Sequence, residues 1–303
     1  MPFPNEAKPM IYPETEELLK RVRRIEIKTR VLTRGVMAGG YHSAFKGRGM
    51  SFAEVREYQT GDDVRDLDWH VTARLNRPHV KVYEEERELT VMLLVDLSGS
   101  MAFGTRARSM RETAAEMAAT IAFSAMRNGD KIGVVFFTDR IEGYIPPKKG
   151  RSHMLRIIHE LLTKQPEGVK TDLNVPLNHL MATERRRLIA FMMSDFVDTP
   201  EFARPMAMAA RRHDLVAIRL ADPLMARLPR VGLVRVSDAE TGHEGWLDTG
   251  SRRVAKAHTD WYEAHSRKLD ETFGAADVDH IAVATDEDYV KPLMRLFARR
   301  HHS

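Results

Sequence analysis

Five residues with side-chain oxygens are spaced so that a single site at one edge of a β-sheet could use them together. Asp96, Ser98 and Ser100 form an Asp-x-Ser-x-Ser pattern directly after an apolar run, Asp195 follows a second apolar run, and Thr171 lies in a polar loop between the two. Carboxylate and hydroxyl oxygens are the ligands that hard cations prefer. The pattern therefore predicts an all-oxygen site for Mg²⁺, with Mn²⁺ or Ca²⁺ as alternatives, built from Asp96, Ser98, Ser100, Thr171 and Asp195.

The segment DLSGSM, Asp96–Met101, also has a second interpretation. Ser98 or Ser100 could cap a following helix, because a serine hydroxyl accepts hydrogen bonds from the first backbone N–H groups of a helix. DLSGS alone does not decide between cap and ligand. Thr171 and the strand-end Asp195 favour the metal site.

The elements that must position these residues alternate between strand and helix from Thr90 onward. The alternation predicts an α/β fold, a doubly wound and mostly parallel sheet with helices on both faces. In such sheets ligands bind at the carboxyl ends of strands, where the strand order reverses. Besides the run that ends at Asp96, we predict strands over residues 131–138, 141–145, 187–194, 215–221 and 279–284, and a small inserted hairpin from 231–236 and 244–248.

The chain divides into an N-terminal extension, residues 1–88, and an α/β domain, residues 89–303. The extension has an amphipathic helix over 14–36, then an irregular stretch rich in glycine and charge. Within that stretch, residues 61–70 hold four aspartates but lack the glycine and glutamate of a calcium loop. We expect a turn held to the main domain by Asp–Arg pairs and by Trp69 as an apolar anchor; a partner-recognition surface is the alternative.

Composition excludes several classes of function. The chain of 303 residues has no cysteine, which excludes disulfides and thiolate metal sites. The 47 Lys and Arg exceed the 43 Asp and Glu by only four, and the charges are interleaved, so nucleic-acid binding is not indicated. We find neither a secretory signal nor a run of the ~18 apolar residues that a membrane helix needs. These features predict a cytoplasmic protein without membrane insertion.

The motif and its flanks resemble a known family. DLSGSM with Thr171 and Asp195 resembles the metal-ion-dependent adhesion site of von Willebrand factor A domains. Three segments, residues 57–88, 145–153 (IPPKKGRSH) and 231–242 (VGLVRVSDAETG), resemble bacterial proteins of the domain of unknown function 58 family. The resemblance spans roughly residue 47 to the C-terminus.

The resemblance implies a role for each site residue. Ser98, Ser100 and Thr171 match the hydroxyls that ligate the metal directly, and Asp96 and Asp195 match the acids that hold it mainly through water. The remaining coordination position in such domains is often filled by an acidic residue of a partner. Relatives are often encoded beside MoxR-type AAA ATPases, so the resemblance implies a non-catalytic adaptor or co-chaperone with such an ATPase as its partner.

Two other functions remain as alternatives. A metal-dependent phosphohydrolase could use Asp96 as nucleophile, although a serine stands two residues on, where a second acid is wanted. A polyanion-binding module could use the basic helix face Lys20–Arg30. The chain has neither a nucleophile elbow around Ser98 nor a Walker loop, so a serine hydrolase and a P-loop ATPase are not predicted.

Overall fold

The computed structural model describes residues 51–60, 62–84, 88–105, 108–197 and 199–301. The helix predicted over 14–36, with the basic face Lys20–Arg30, lies outside the described residues. The described residues form two compact units, and the boundary between these units in the sequence lies between Glu88 and Leu89. The predicted division into 1–88 and 89–303 concerns the undescribed N-terminal residues as well, so it stays a prediction.

The smaller unit contains an antiparallel strand pair, β1 (Ser51–Glu57) and β2 (His79–Glu84). The connection between them includes a short 3-10 turn, Val64–Asp66, and helix α1 (Trp69–Leu75). Strand β1 lies in the stretch for which the sequence predicted no regular structure. Its polar and charged residues do not alternate strongly enough with apolar ones to give a strand signal.

The acidic segment 61–70 is structured by its own aspartates. Both carboxylate oxygens of Asp62 accept hydrogen bonds from the Arg56 guanidinium at 2.7 Å. The Asp68 side chain caps α1 by accepting from the backbone N–H groups of His70 and Val71. Trp69 is 68% exposed, so its prediction as an apolar anchor is wrong. It is the first residue of α1.

The larger unit is built on a six-stranded sheet. The strand order is β10-β7-β6-β3-β4-β5, and every neighbouring pair is parallel except β4 and β5. This confirms the predicted α/β class with a doubly wound, mostly parallel sheet. Its strands are β3 (Thr90–Asp96), β4 (Lys131–Phe137), β5 (Ile141–Lys148), β6 (Ile189–Ser194), β7 (Asp214–Ala221) and β10 (Asp279–Ala284).

Helices connect the parallel strands of this sheet, and the predicted hairpin is present. Strands β8 (Leu233–Ser237) and β9 (Glu244–Asp248) pair only with each other in the described residues. The helices are α2 (Met110–Arg127), α3 (Arg151–Thr163), α4 (Asn174–Thr183), α5 (Ala203–Arg212), α6 (Pro223–Ala226), α7 (Arg252–Ala275) and α8 (Val290–His301).

Burial explains why these segments form a sheet. The central strands β3 and β6 are buried on both faces, as continuous apolar runs of a parallel sheet must be. Four methionines fill the core and are fully buried: Met110, Met117, Met192 and Met193. In the described residues, no helix is both long and apolar enough to span a membrane.

The strand order reverses between β3 and β6. From β3 the chain adds β4 and β5 on one side, and it then returns to add β6, β7 and β10 on the other. The carboxyl ends of β3 and β6 therefore form the switch point of the sheet, the place where α/β proteins bind ligands. Asp96 ends β3 and Asp195 directly follows β6.

Candidate metal centre

Two buried carboxylates lie at this switch point. Asp96 and Asp195 are both almost completely buried, because β3 and β6 pair in register up to Val95 and Met193 and end side by side. Asp96 is held from two directions. Its Oδ1 accepts a hydrogen bond from the backbone N–H of Ser98 at 2.8 Å, and its Oδ2 accepts one from Ser194 Oγ at 2.6 Å.

The electrostatics of this pair favour a cation. Burial, followed by the nearby negative charge of Asp195, raises the pKa of the Asp96 carboxyl to about 7. The hydrogen bonds from Ser194 and Ser98 oppose that shift without cancelling it. A divalent cation between such groups would offset both the desolvation and the repulsion, so the donor set fits the metal that the sequence predicts.

The serine hydroxyls face each other beside this pair. Ser98 is buried, and its Oγ lies 3.2 Å from the Oγ of Ser100, within a tight turn that continues as a 3-10 helix, Ser100–Ala102. That short helix has no side-chain cap, and Ser109 caps the long helix α2. The cap interpretation of Ser98 and Ser100 is therefore wrong, which leaves both hydroxyls available as ligands.

The loop that carries Thr171 is fixed by a carboxylate that sequence reasoning missed. Glu142 on β5 accepts hydrogen bonds from Thr138 Oγ1 at 2.8 Å and from the backbone N–H groups of Glu167 and Gly168 at 2.9 and 2.7 Å. Partial burial works to raise the pKa of Glu142, but these hydrogen bonds hold it below its ordinary value. A Cβ at Gly168 would collide with Thr138 Oγ1, so the loop needs glycine there.

The threonine loop and the DLSGS turn are joined directly. The Gly99 N–H donates to the carbonyl oxygen of Val169 at 2.7 Å. Thr171, two residues after Val169, is almost completely buried, with 3% of its surface exposed. The structure thus brings the Thr171 loop against the turn that carries Ser98 and Ser100, although Thr171 is distant from both in sequence.

A sixth oxygen-bearing residue, Glu240, also reaches this region. Thr171 Oγ1 donates a hydrogen bond of 2.6 Å to Glu240 Oε1. Glu240 lies in the turn of the β8–β9 hairpin. Its segment, VSDAETG, carried part of the family resemblance, but nothing in the sequence spacing linked it to a site 69 residues away.

The centre depends on hydroxyls as much as on acids. In the part of the chain that the structure describes, no group of three or more His, Asp or Glu side chains is arranged to hold a metal ion. The two buried aspartates would therefore need the three hydroxyls to complete a ligand set. The assignment of the five residues as metal ligands stays a prediction.

The segments that form the centre also match a known protein family. The family described as "Protein of unknown function DUF58" matches residues 54–268. The chain belongs to this family. All five predicted site residues and Glu240 lie within the matched range, so the centre is part of the region that defines this chain as a DUF58 protein.

Relatives of this DUF58 protein include bacterial proteins. An uncharacterized protein of Mycobacterium bovis is 34% identical over 289 residues, which cover 94% of this chain and 90% of that protein. Two solved structures also match 71% of this chain at 15% identity. They are the conserved hypothetical protein BatB from Bacteroides thetaiotaomicron, with a TM-score of 0.45 and all of that chain covered, and an aerotolerance-related membrane protein from Bacteroides fragilis, with a TM-score of 0.48 and 98% covered.

Proposed function

We propose that this DUF58 protein is a non-catalytic, divalent-metal-dependent protein-interaction module. The observation that carries the proposal is the buried pair Asp96 and Asp195 at the sheet switch point, with the Ser98 and Ser100 hydroxyls beside it. Ser98, Ser100 and Thr171 would ligate the cation directly, and the two aspartates would hold it mainly through water.

The proposed mode of binding follows from the charge of these ligands. Neutral hydroxyls withdraw less positive charge from a bound cation than carboxylates do, so the cation can attract an acidic side chain of a partner. The Oγ atoms of Ser98 and Ser100 lie 3.2 Å apart, and each hydroxyl can offer a lone pair to a cation. This arrangement favours docking over catalysis. We propose a MoxR-type AAA ATPase as the partner, on the family resemblance alone.

The test is a metal-dependent co-purification. Wild type and the Ser98→Ala variant would each be incubated with a purified MoxR-type ATPase at about 150 mM salt. Each mixture would contain either Mg²⁺ or enough EDTA to remove all divalent cations. We expect retention only for wild type with Mg²⁺. The Asp260→Ala variant is the control, because Asp260 is an exposed aspartate on α7 that pairs only with Lys256 in the described residues.

Two results would contradict the proposal. Binding that persists with EDTA and in Ser98→Ala would exclude metal-dependent docking. Hydrolysis of a generic phosphoester that needs Mg²⁺ and is lost in Asp96→Asn would instead support the phosphohydrolase alternative.

A further inference from the structure

The tip of the β8–β9 hairpin contacts two sides of the candidate metal centre. On one side, Glu240 Oε1 accepts the 2.6 Å hydrogen bond from Thr171. On the other, the carbonyl oxygen of Ala239 lies so close to Gly99 that a Cβ at position 99 would collide with it. The glycine of DLSGS therefore leaves room for the hairpin tip.

The turn itself is built to present Glu240. The Asp238 carboxylate accepts hydrogen bonds from the N–H of Glu240 at 2.8 Å and from Thr241, through its N–H at 3.3 Å and its Oγ1 at 2.5 Å. The Asp238 N–H donates to the carbonyl oxygen of His243 at 2.8 Å, and the Gly242 N–H donates to the carbonyl oxygen of Asp238 at 2.9 Å. With a φ of 68°, Gly242 occupies the left-handed region that glycine adopts at no steric cost.

The rest of the hairpin does not explain this position. None of the residues of β8 or β9 is buried, and Trp246 is 70% exposed. The base is closed by Thr249, whose Oγ1 donates to the carbonyl oxygen of Gly232 at 2.7 Å. A hairpin that buries so little surface of its own is held at the centre through its tip.

The contact with Thr171 is compatible with metal binding. A threonine hydroxyl has one hydrogen to donate and two lone pairs, so Thr171 can donate to Glu240 and still offer a lone pair to a cation. A cation bound by hydroxyls would strongly attract a carboxylate already located beside one of its ligands.

We propose that Glu240 is a further ligand of this metal, supplied by the chain itself. It would take the coordination position that the proposed function leaves for an acidic partner, so a partner must displace the hairpin tip before its own acid can bind. This inference rests on the proposed function, because it requires a cation at the centre. In the absence of a partner, the module would therefore be closed by its own side chain.

Manganese binding tests this without any partner. Mn²⁺ would be titrated into the full chain, with free Mn²⁺ followed by electron paramagnetic resonance and Mn²⁺-bound water by proton relaxation. Relative to wild type, we expect Glu240→Gln to weaken Mn²⁺ binding at least tenfold. We also expect it to increase relaxation per bound Mn²⁺, because water enters the vacated position.

Two further variants separate the effect of the Glu240 charge from the effect of its side-chain length and from general effects of substitutions in the hairpin. Glu240→Asp keeps the charge but is one methylene shorter, so we expect an intermediate affinity. Glu244→Gln is the control, because Glu244 is an exposed glutamate of the same hairpin that pairs with Arg235. It should bind Mn²⁺ as wild type does. Added acetate should lower the relaxation of the Glu240→Gln complex and leave that of wild type unchanged.

The outcomes distinguish this inference from the proposed function. If Asp96→Asn abolishes Mn²⁺ binding but Glu240→Gln leaves affinity and relaxation unchanged, Glu240 is not a ligand and the metal site stands. If wild type binds no Mn²⁺, or Asp96→Asn binds it equally well, the proposed function fails and this inference fails with it. Circular dichroism of each variant would verify the fold.

Discussion

At the scale of single residues, the candidate metal centre lowers the stability of the metal-free protein. Asp96 and Asp195 are withdrawn from water and repel each other, and neither effect helps the metal-free protein to fold. Such pairs persist where a ligand uses them. Under the proposed function, the raised pKa of Asp96 is the local cost of a site that accepts a cation.

The first prediction separates stability from metal binding at Asp96. We expect Asp96→Asn to lose Mg²⁺ binding yet, in EDTA at pH 8, to unfold at a temperature no lower than wild type. An asparagine removes the buried charge and can still accept from the Ser98 N–H while facing Ser194 Oγ. Thermal unfolding by circular dichroism measures this. A large loss of stability in EDTA would mean that Asp96 is needed mainly to hold the fold.

A second residue-scale prediction concerns His213, which ends α5 beside β7. Burial, and then the charges of Arg212 and Arg187, lower the pKa of His213 to about 4. Within the described residues, neither ring nitrogen makes a hydrogen bond. Because its pKa is lowered by folding, His213 has no effect above its unfolded pKa of about 6.5, and it destabilises the folded state as the pH falls from there towards about 4.

The expected size of this effect follows from the two pKa values. Between pH 7 and pH 5, His213 should cost about 2 kcal/mol of the free energy of unfolding. The His213→Leu variant, which cannot be protonated, should lose less stability than wild type over that interval. Urea unfolding at both pH values gives the comparison, and parallel pH dependence in the two proteins would contradict it.

At the scale of elements, the carboxyl edge of the sheet is held together by side chains that follow the strands. Asp222, directly after β7, accepts hydrogen bonds from Thr105 Oγ1 at 2.6 Å and from Thr285 Oγ1 at 2.8 Å. It also accepts from the backbone N–H groups of Thr105 and Leu224 at 3.0 Å. One buried carboxylate thus connects the loop after β3 with the ends of β7 and β10.

The third prediction tests this connection. Asp222→Ala removes the acceptor of four donors, of which the Thr285 hydroxyl is buried and the others are partly buried, so we expect a loss on the order of 3 kcal/mol in the free energy of unfolding. Thr285→Val removes only one of the donors and should cost less. Glu271→Ala, at an exposed position of α7, should change stability by less than about 0.5 kcal/mol. Urea unfolding measures all three, and an Asp222→Ala cost as small as that of Glu271→Ala would refute the connecting role.

The elements also show what can be predicted from the sequence. The buried strands followed from apolar runs, and the strand-end rule brought Asp96 and Asp195 to one edge. The start of helix α7 at Arg252 is harder to predict, because the Ser251 cap starts it on a polar face with little apolar periodicity. The Thr171–Glu240 contact depends on how a hairpin folds back over a loop, and local patterns carry no information about such a contact.

At the scale of the whole molecule, the proposed metal binding would be linked to folding. The proposed ligands come from three loops, after β3, before α4 and after β6, which approach one another only when the sheet is complete. An unfolded chain cannot hold them together, so a cation that binds this centre binds the folded state alone. Its binding free energy must then appear as added stability.

The last prediction measures that linkage. At Mg²⁺ concentrations about 100 times the dissociation constant, wild type should gain about 2.7 kcal/mol, which raises the unfolding temperature by roughly 5 °C or more. The rise should continue with the logarithm of Mg²⁺ concentration above saturation, because mass action has no plateau while the unfolded chain binds no metal. Differential scanning calorimetry over a Mg²⁺ series gives the curve, with Asp96→Asn as the control that should stay flat. An unfolding temperature of wild type that is independent of Mg²⁺, Mn²⁺ and Ca²⁺ would mean that the buried aspartates are not there for a metal.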